Sequence, residues 1–193
     1  MKKFIIIGLL LLTIPAYGVL EAPPQLEEEN VILQQYLWEL YKRHNTPYGD
    51  IYAHDNEVET EFADSGVANK SQVTIFTTDG ESNLTTPSNA EDHITIIKAG
   101  KYFVTISIAA STEGGGSDEY GFSLWRNNGT TEFENVHSHR LFSGGAGDFG
   151  SITMSGICNF AVDDTIEVWT WNEDDTEALL IDDITLSITK IGE

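Results

Sequence analysis

Glu132 and Glu134 stand two residues apart in TTEFENVHSHR, and an extended chain turns such a pair to one face. Two carboxylates are the minimum equipment of a glycoside hydrolase, which holds them about 5–9.5 Å apart across a cleft with one kept protonated. With 31 acidic residues in a chain of 193, pairs of that spacing arise from composition alone, and no catalytic residue is assigned. His137-Ser138-His139 follows in the same run and presents two imidazoles on one side, half of a zinc site. A closed site needs two more ligands, and the sequence does not bring His54 or His93 to them. The plain alternative is a polar strand beside Arg140. Cys158, the only cysteine, lies among Ile157 and Phe160 and reads as a buried structural thiol rather than a nucleophile. A single thiol also excludes an intramolecular disulfide.

The acidic doublets Asp163-Asp164, Asp174-Asp175 and Asp182-Asp183 fall where strands end, and hard oxygen ligands of that kind suit Ca²⁺. None has the spacing of an EF-hand loop, and solvated loop acids are the simpler reading. No cofactor is assigned, with Ca²⁺ left open. Trp125, Trp169 and Trp171 invite sugar stacking, but Trp169 and Trp171 share a face opposite Ile166 and Val168. A strand apolar on both sides suits a subunit interface as well as a ligand platform. The loops STEGGGSDE (111–119) and SGGAGDFG (143–150) are rich in glycine. Neither leads into a helix, so neither is a phosphate loop; they are flexible or recognition loops.

These residues need elements to hold them. The chain opens MKKFIIIGLLLLTIPAYG: a basic start, an apolar run from Phe4 to Ile14, and small Ala16 and Gly18 at cleavage spacing. Residues 1–18 are expected to be a secretory signal peptide, the run being well short of the about 20 residues that span a bilayer. The product is then secreted or on the cell surface, with no membrane insertion after cleavage. The formal net charge is −21, a surface that repels nucleic acid and anionic lipid.

A linker, 19–25, precedes a helix expected over 26–45. Glu27, Glu28 and Glu29 stand at its positive end and Lys42, Arg43 and His44 at its negative end, matching the helix dipole. Leu26, Asn30, Leu33, Leu37 and Leu40 form a heptad seam. Such a helix is marginal alone; it serves either as an oligomerising neck or as a helix docked on its own head. From residue 46 to 193, short alternating runs are punctuated by Gly, Asn, Thr and Ser, the pattern of an all-β, two-sheet sandwich. Asn128-Gly129 signals a tight turn.

The order of motifs resembles the complement C1q-like and tumour-necrosis-factor-like jelly-roll heads, of bacterial or phage-associated type. AGKYFVTIS supplies Gly100 and Tyr102 for a long alternating strand, FSLWRNNG supplies Phe122, Leu124, Asn128 and Gly129, and SITMSGICNFAVDDTIEVWTW supplies Ser155, Gly156, Phe160, Asp164 and Val168. Asp163 departs from the pattern, which has glycine before that Asp. The resemblance implies a homotrimer packed through one sheet face, with Phe103, Trp169 and Trp171 as sheet contacts. It implies an exported, non-enzymatic head for adhesion, recognition or appendage structure, with a glycan or protein ligand at its surface. A secreted carbohydrate-binding module or glycoside-active sandwich is the alternative, and a phage fibre or decoration protein the third; the signal segment argues against the last.

Overall fold

The computed structural model describes residues 31–112, 117–143 and 148–193. The expected signal segment, the linker, and Leu26 and Asn30 of the seam lie outside the described residues. The chain divides into two compact units, Met1–Thr46 and Pro47–Glu193. In the first, helix α1 spans Val31–His44. Leu33 and Leu37 are half-buried, Leu40 and Tyr36 are exposed, and Trp38 meets Tyr41 edge-on at 5.3 Å, one turn apart as helix geometry requires.

The second unit is an antiparallel sandwich. Its strands are β1 (Tyr48–Ala53), β2 (Val58–Thr60), β3 (Ser71–Gln72), β4 (Thr78–Asn83), β5 (Thr85–Ser88), β6 (His93–Ile96), β7 (Gly100–Thr112), β8 (Asp118–Arg126), β9 (Thr131–Phe142), β10 (Phe149–Phe160), β11 (Thr165–Asn172) and β12 (Leu179–Gly192). The first sheet runs β10-β7-β12-β1-β4, with β2 on β12; the second runs β5-β6-β11-β8-β9, with β3 on β11. Neighbours in each sheet are mostly distant in sequence, and apart from the β8–β9 hairpin successive long strands cross between sheets, which is the jelly-roll winding.

Period-2 alternation builds the core. Tyr102, Val104, Ile106, Ile108 and Ala110 of β7 are essentially inaccessible, as are Ile184, Leu186 and Ile188 of β12 and Ile152, Met154 and Cys158 of β10. They meet Tyr120, Phe122, Leu124, Ile166, Val168, Ile94 and Ile96 of the second sheet. The strand KAGKYFVTISIAAS is thus a central strand with one face in the sandwich.

Three strands escape a reading of the sequence: β2, β4 and β5. TDGESN and TTPS carry no apolar alternation and even a proline; β4 and β5 end their sheets, where the ladder is needed on one side only. β3 is a two-residue strand, Ser71–Gln72, paired with β11 through Trp169 and Thr170. The tight turn at Asn128-Gly129 joins β8 to β9: Asn127, Asn128 and Gly129 all have positive φ (53°, 58° and 67°), and Thr130 N donates to Arg126 O at 3.0 Å, in a four-residue connection.

Candidate functional site

The outer face of the first sheet lines up in rows set by register. Ile157, Phe103, Thr189 and Tyr48 form one row across β10, β7, β12 and β1; Ser155, Thr105, Ser187 and Asp50 the next; Thr153, Ser107, Thr185 and Tyr52 the third. Phe103 is 45% exposed, Ile157 55%, and Tyr48 and Tyr52 38% each. Among these twelve residues only Asp50 is charged, in a protein whose net charge is −21. Burial and neighbouring Glu81 raise the Asp50 pKa. Small hydroxyl side chains flanked by aromatics let another surface approach closely without desolvating ions.

The outer face of the second sheet has a different chemistry. His137 and His139 stack with ring centroids 4.7 Å apart, as their spacing predicts, and both meet Trp171 edge-on at 5.4 and 5.7 Å. His137 Nδ1 lies 2.8 Å from Glu132 Oε1, and His139 Nδ1 lies 3.1 Å from Glu119 and 3.8 Å from Glu173. Glu132 is thereby engaged by an imidazole, while Glu134 is exposed in the β9 bulge where the register with β8 slips. The two carboxylates do not act as a facing pair. His54 lies in the bend just after β1 of the first sheet, its Nδ1 2.6 Å from Asp183, and does not join the histidine pair.

Trp171 is 1% exposed. Its Nε1 donates to Glu173 at 2.6 Å, and Gly121 makes room for its ring, a Cβ there falling 2.2 Å from it. A partner approaching this face meets the two histidines rather than Trp171. Trp169 is half-buried: it donates to Glu167 at 3.1 Å, and Lys70 Nζ lies over both its ring and that of Trp125, 5.1 and 4.1 Å from the centroids. Of the three sheet residues singled out, Phe103 alone presents an open apolar surface. Its alternation with buried neighbours made it legible; Tyr48 and Ile157 share its row only through strand pairing and were missed.

At one end of the sandwich lies an acidic cluster. Asp118 at the start of β8 and Asp175 and Glu177 in the β11–β12 connection each place a carboxylate oxygen within 4.8 Å of the others. Burial, then repulsion from Asp175 and Glu177, a side-chain hydrogen bond with Glu177 and repulsion from Asp174 push the Asp118 pKa up to about 6. Asp174-Asp175 was legible as a doublet, but Asp118 and Glu177 were not, because the pairing of Tyr120 with Asn172 is what brings them together. Burial raises the Cys158 thiol to about 11, which suits a structural thiol.

No protein-family profile matches the chain, and no curated protein matches it in sequence. Among solved structures, Eiger TNF from S. frugiperda superposes with a TM-score of 0.53 at 12% identity, over 76% of this chain and 94% of that one. The fold is the tumour-necrosis-factor-like jelly roll. Murine APRIL at pH 5.0 gives a TM-score of 0.49 at 11% identity, over 76% and 99% of the two chains.

Within this jelly roll the departure at Asp163 resolves simply. Asp163 takes φ 67°, the left-handed conformation that glycine adopts most easily and Asp tolerates better than most. Asp164 then stands 6% exposed and accepts from Ala161 N at 2.8 Å and Asn127 Nδ2 at 2.9 Å, with Arg126 at 3.4 Å. It is a structural acid at the β10–β11 turn.

Proposed function

We propose that the chain is an exported, non-enzymatic head that assembles as a homotrimer through the outer face of its first sheet. It works in adhesion, recognition or the structure of a surface appendage, three copies supplying avidity for a glycan or protein ligand. The observation that carries this reading is the nearly uncharged row system around Phe103 on a molecule of strong negative charge. Like-charged copies associate only where their charges are kept out of the contact. The engagement of Trp125, Trp169 and Trp171 by their own chain speaks against an open sugar-stacking platform of those residues.

The test is the molar mass of the chain from Val19 by light scattering, beside Phe103→Glu. A trimer that dissociates in the variant supports the reading; a monomeric parent, or a variant trimer as stable as the parent, overturns it.

A further inference from the structure

Asp118 is 5% exposed, and its Oδ2 is buried without a hydrogen-bond partner among the described residues. A buried carboxylate oxygen without a donor is costly, and here two further carboxylates face it. Among the described residues no Lys or Arg forms an ion pair with Asp118, Asp174 or Asp175. The surrounding chain is nonetheless built to hold these acids in place. Asn172, wholly buried, donates its amide to Asp175 Oδ1 at 2.9 Å and to Glu177 O at 3.2 Å, and its Oδ1 accepts from Asp174 N and Asp175 N. Glu177 N also donates to Asp175 Oδ1 at 2.7 Å, which leaves the second Asp175 oxygen for an outside ligand. The Tyr120 hydroxyl donates to Glu177 O at 3.1 Å, and Asp174 Oδ2 accepts from Glu119 N at 2.8 Å.

We propose that Asp118, Asp175 and Glu177 form a Ca²⁺ site that ties the start of β8 to the β11–β12 connection. The donor set is all carboxylate oxygen, which disfavours zinc and its nitrogen and sulfur ligands. The three oxygens lie within 4.8 Å of one another, close enough to share one ion at the Ca²⁺–oxygen distance of about 2.3–2.6 Å, and Mg²⁺, which gives up its waters reluctantly and demands near-ideal octahedral geometry, fits such a cluster less well. All three ligands belong to one chain, so the site does not depend on the trimer proposed above.

The full chain, stripped with chelator, is melted across a Ca²⁺ titration to about 10 mM, the range of extracellular modules, with Mg²⁺ in parallel. The expected result is a saturable rise of Tm by about 5–10 °C once Ca²⁺ stands near one hundred times its Kd, with a smaller response to Mg²⁺. Asp118→Asn removes the rise, and in chelator melts no lower than the parent because the repulsion is relieved. Should that variant fail to fold, Glu177→Gln carries the test, moving the titration midpoint up by about tenfold or more. His54→Gln, at the other histidine and acid cluster, leaves the rise intact. A parent melt indifferent to Ca²⁺, or an Asp118→Asn or folded Glu177→Gln chain that responds as the parent does, overturns the site. A rise lost in His54→Gln and kept in Asp118→Asn overturns it as well.

Discussion

A Cβ on Gly129 would stand 2.7 Å from the Trp169 ring, and the backbone there is at φ 67°. Both the space and the conformation call for glycine, and the amide is used as well: Asn128 N and Gly129 N donate to the buried Glu167 carboxylate at 2.9 and 3.0 Å. Thr165 Oγ1 and Trp169 Nε1 complete its shell. Gly129→Ala is therefore expected to cost about 1–3 kcal/mol in urea unfolding, where a surface glycine would cost a few tenths. Cys158 offers a second check at this scale. Its thiol is raised from 9.0 to about 11, so thiolate is about a hundredfold scarcer than in the unfolded chain. Alkylation at mild alkaline pH should be slower by at least that factor in native buffer than in denaturant; equal rates would place the thiol outside the core.

Between elements, the end of β1 is stapled to β12. His54 Nδ1 meets Asp183 Oδ1 at 2.6 Å, and Asp55 N donates to the same oxygen at 3.1 Å. The hydrogen bond to Asp183 raises the His54 pKa above 6.5, and His54 in turn lowers the Asp183 pKa below 3.8. The staple is complete between those values. It fades as pH rises through the raised imidazole value and again as pH falls through the lowered carboxylate value. His54→Gln should therefore melt slightly below the parent at about pH 5–6 and together with it at about pH 9, the difference being small because His54 is exposed. A gap that widens with pH would refute the pairing. At this scale the long strands β7, β10 and β12 were legible, since each buries one alternating face. The short strands β2, β4 and β5 were not. Their residues have no burial pattern of their own and become strands because β1, β6 or β12 presents an unpaired edge.

At the scale of the whole molecule, charge and shape meet. On a chain of net charge −21 the hydroxyl-rich face around Phe103 carries one charged residue in its three rows, which is what the assembly proposed above requires. Helix α1 bears on the same question, because Leu33, Leu37 and Leu40 form part of a seam that a neck would bury. Leu37→Asp should lower the concentration stability of the trimer, read as dissociation on dilution in light scattering. A variant trimer unchanged on dilution would show that assembly rests on the head alone.

The sequence by itself determined the all-β class, the N-terminal helix, the buried thiol, the stacked histidines and the outward aim of Phe103. Each is a local matter of period, composition or spacing within one strand or helix. Tertiary structure alone decided that Trp171 lies beneath His137 and His139, that Glu132 pairs with His137, that Tyr48 and Ile157 join the row of Phe103, and that Asp118 faces Asp175 and Glu177. Each of these depends on which strands pair and in what register. In a jelly roll the neighbours within a sheet are mostly remote in sequence, so the contacts that make its sites are non-local and leave little local trace.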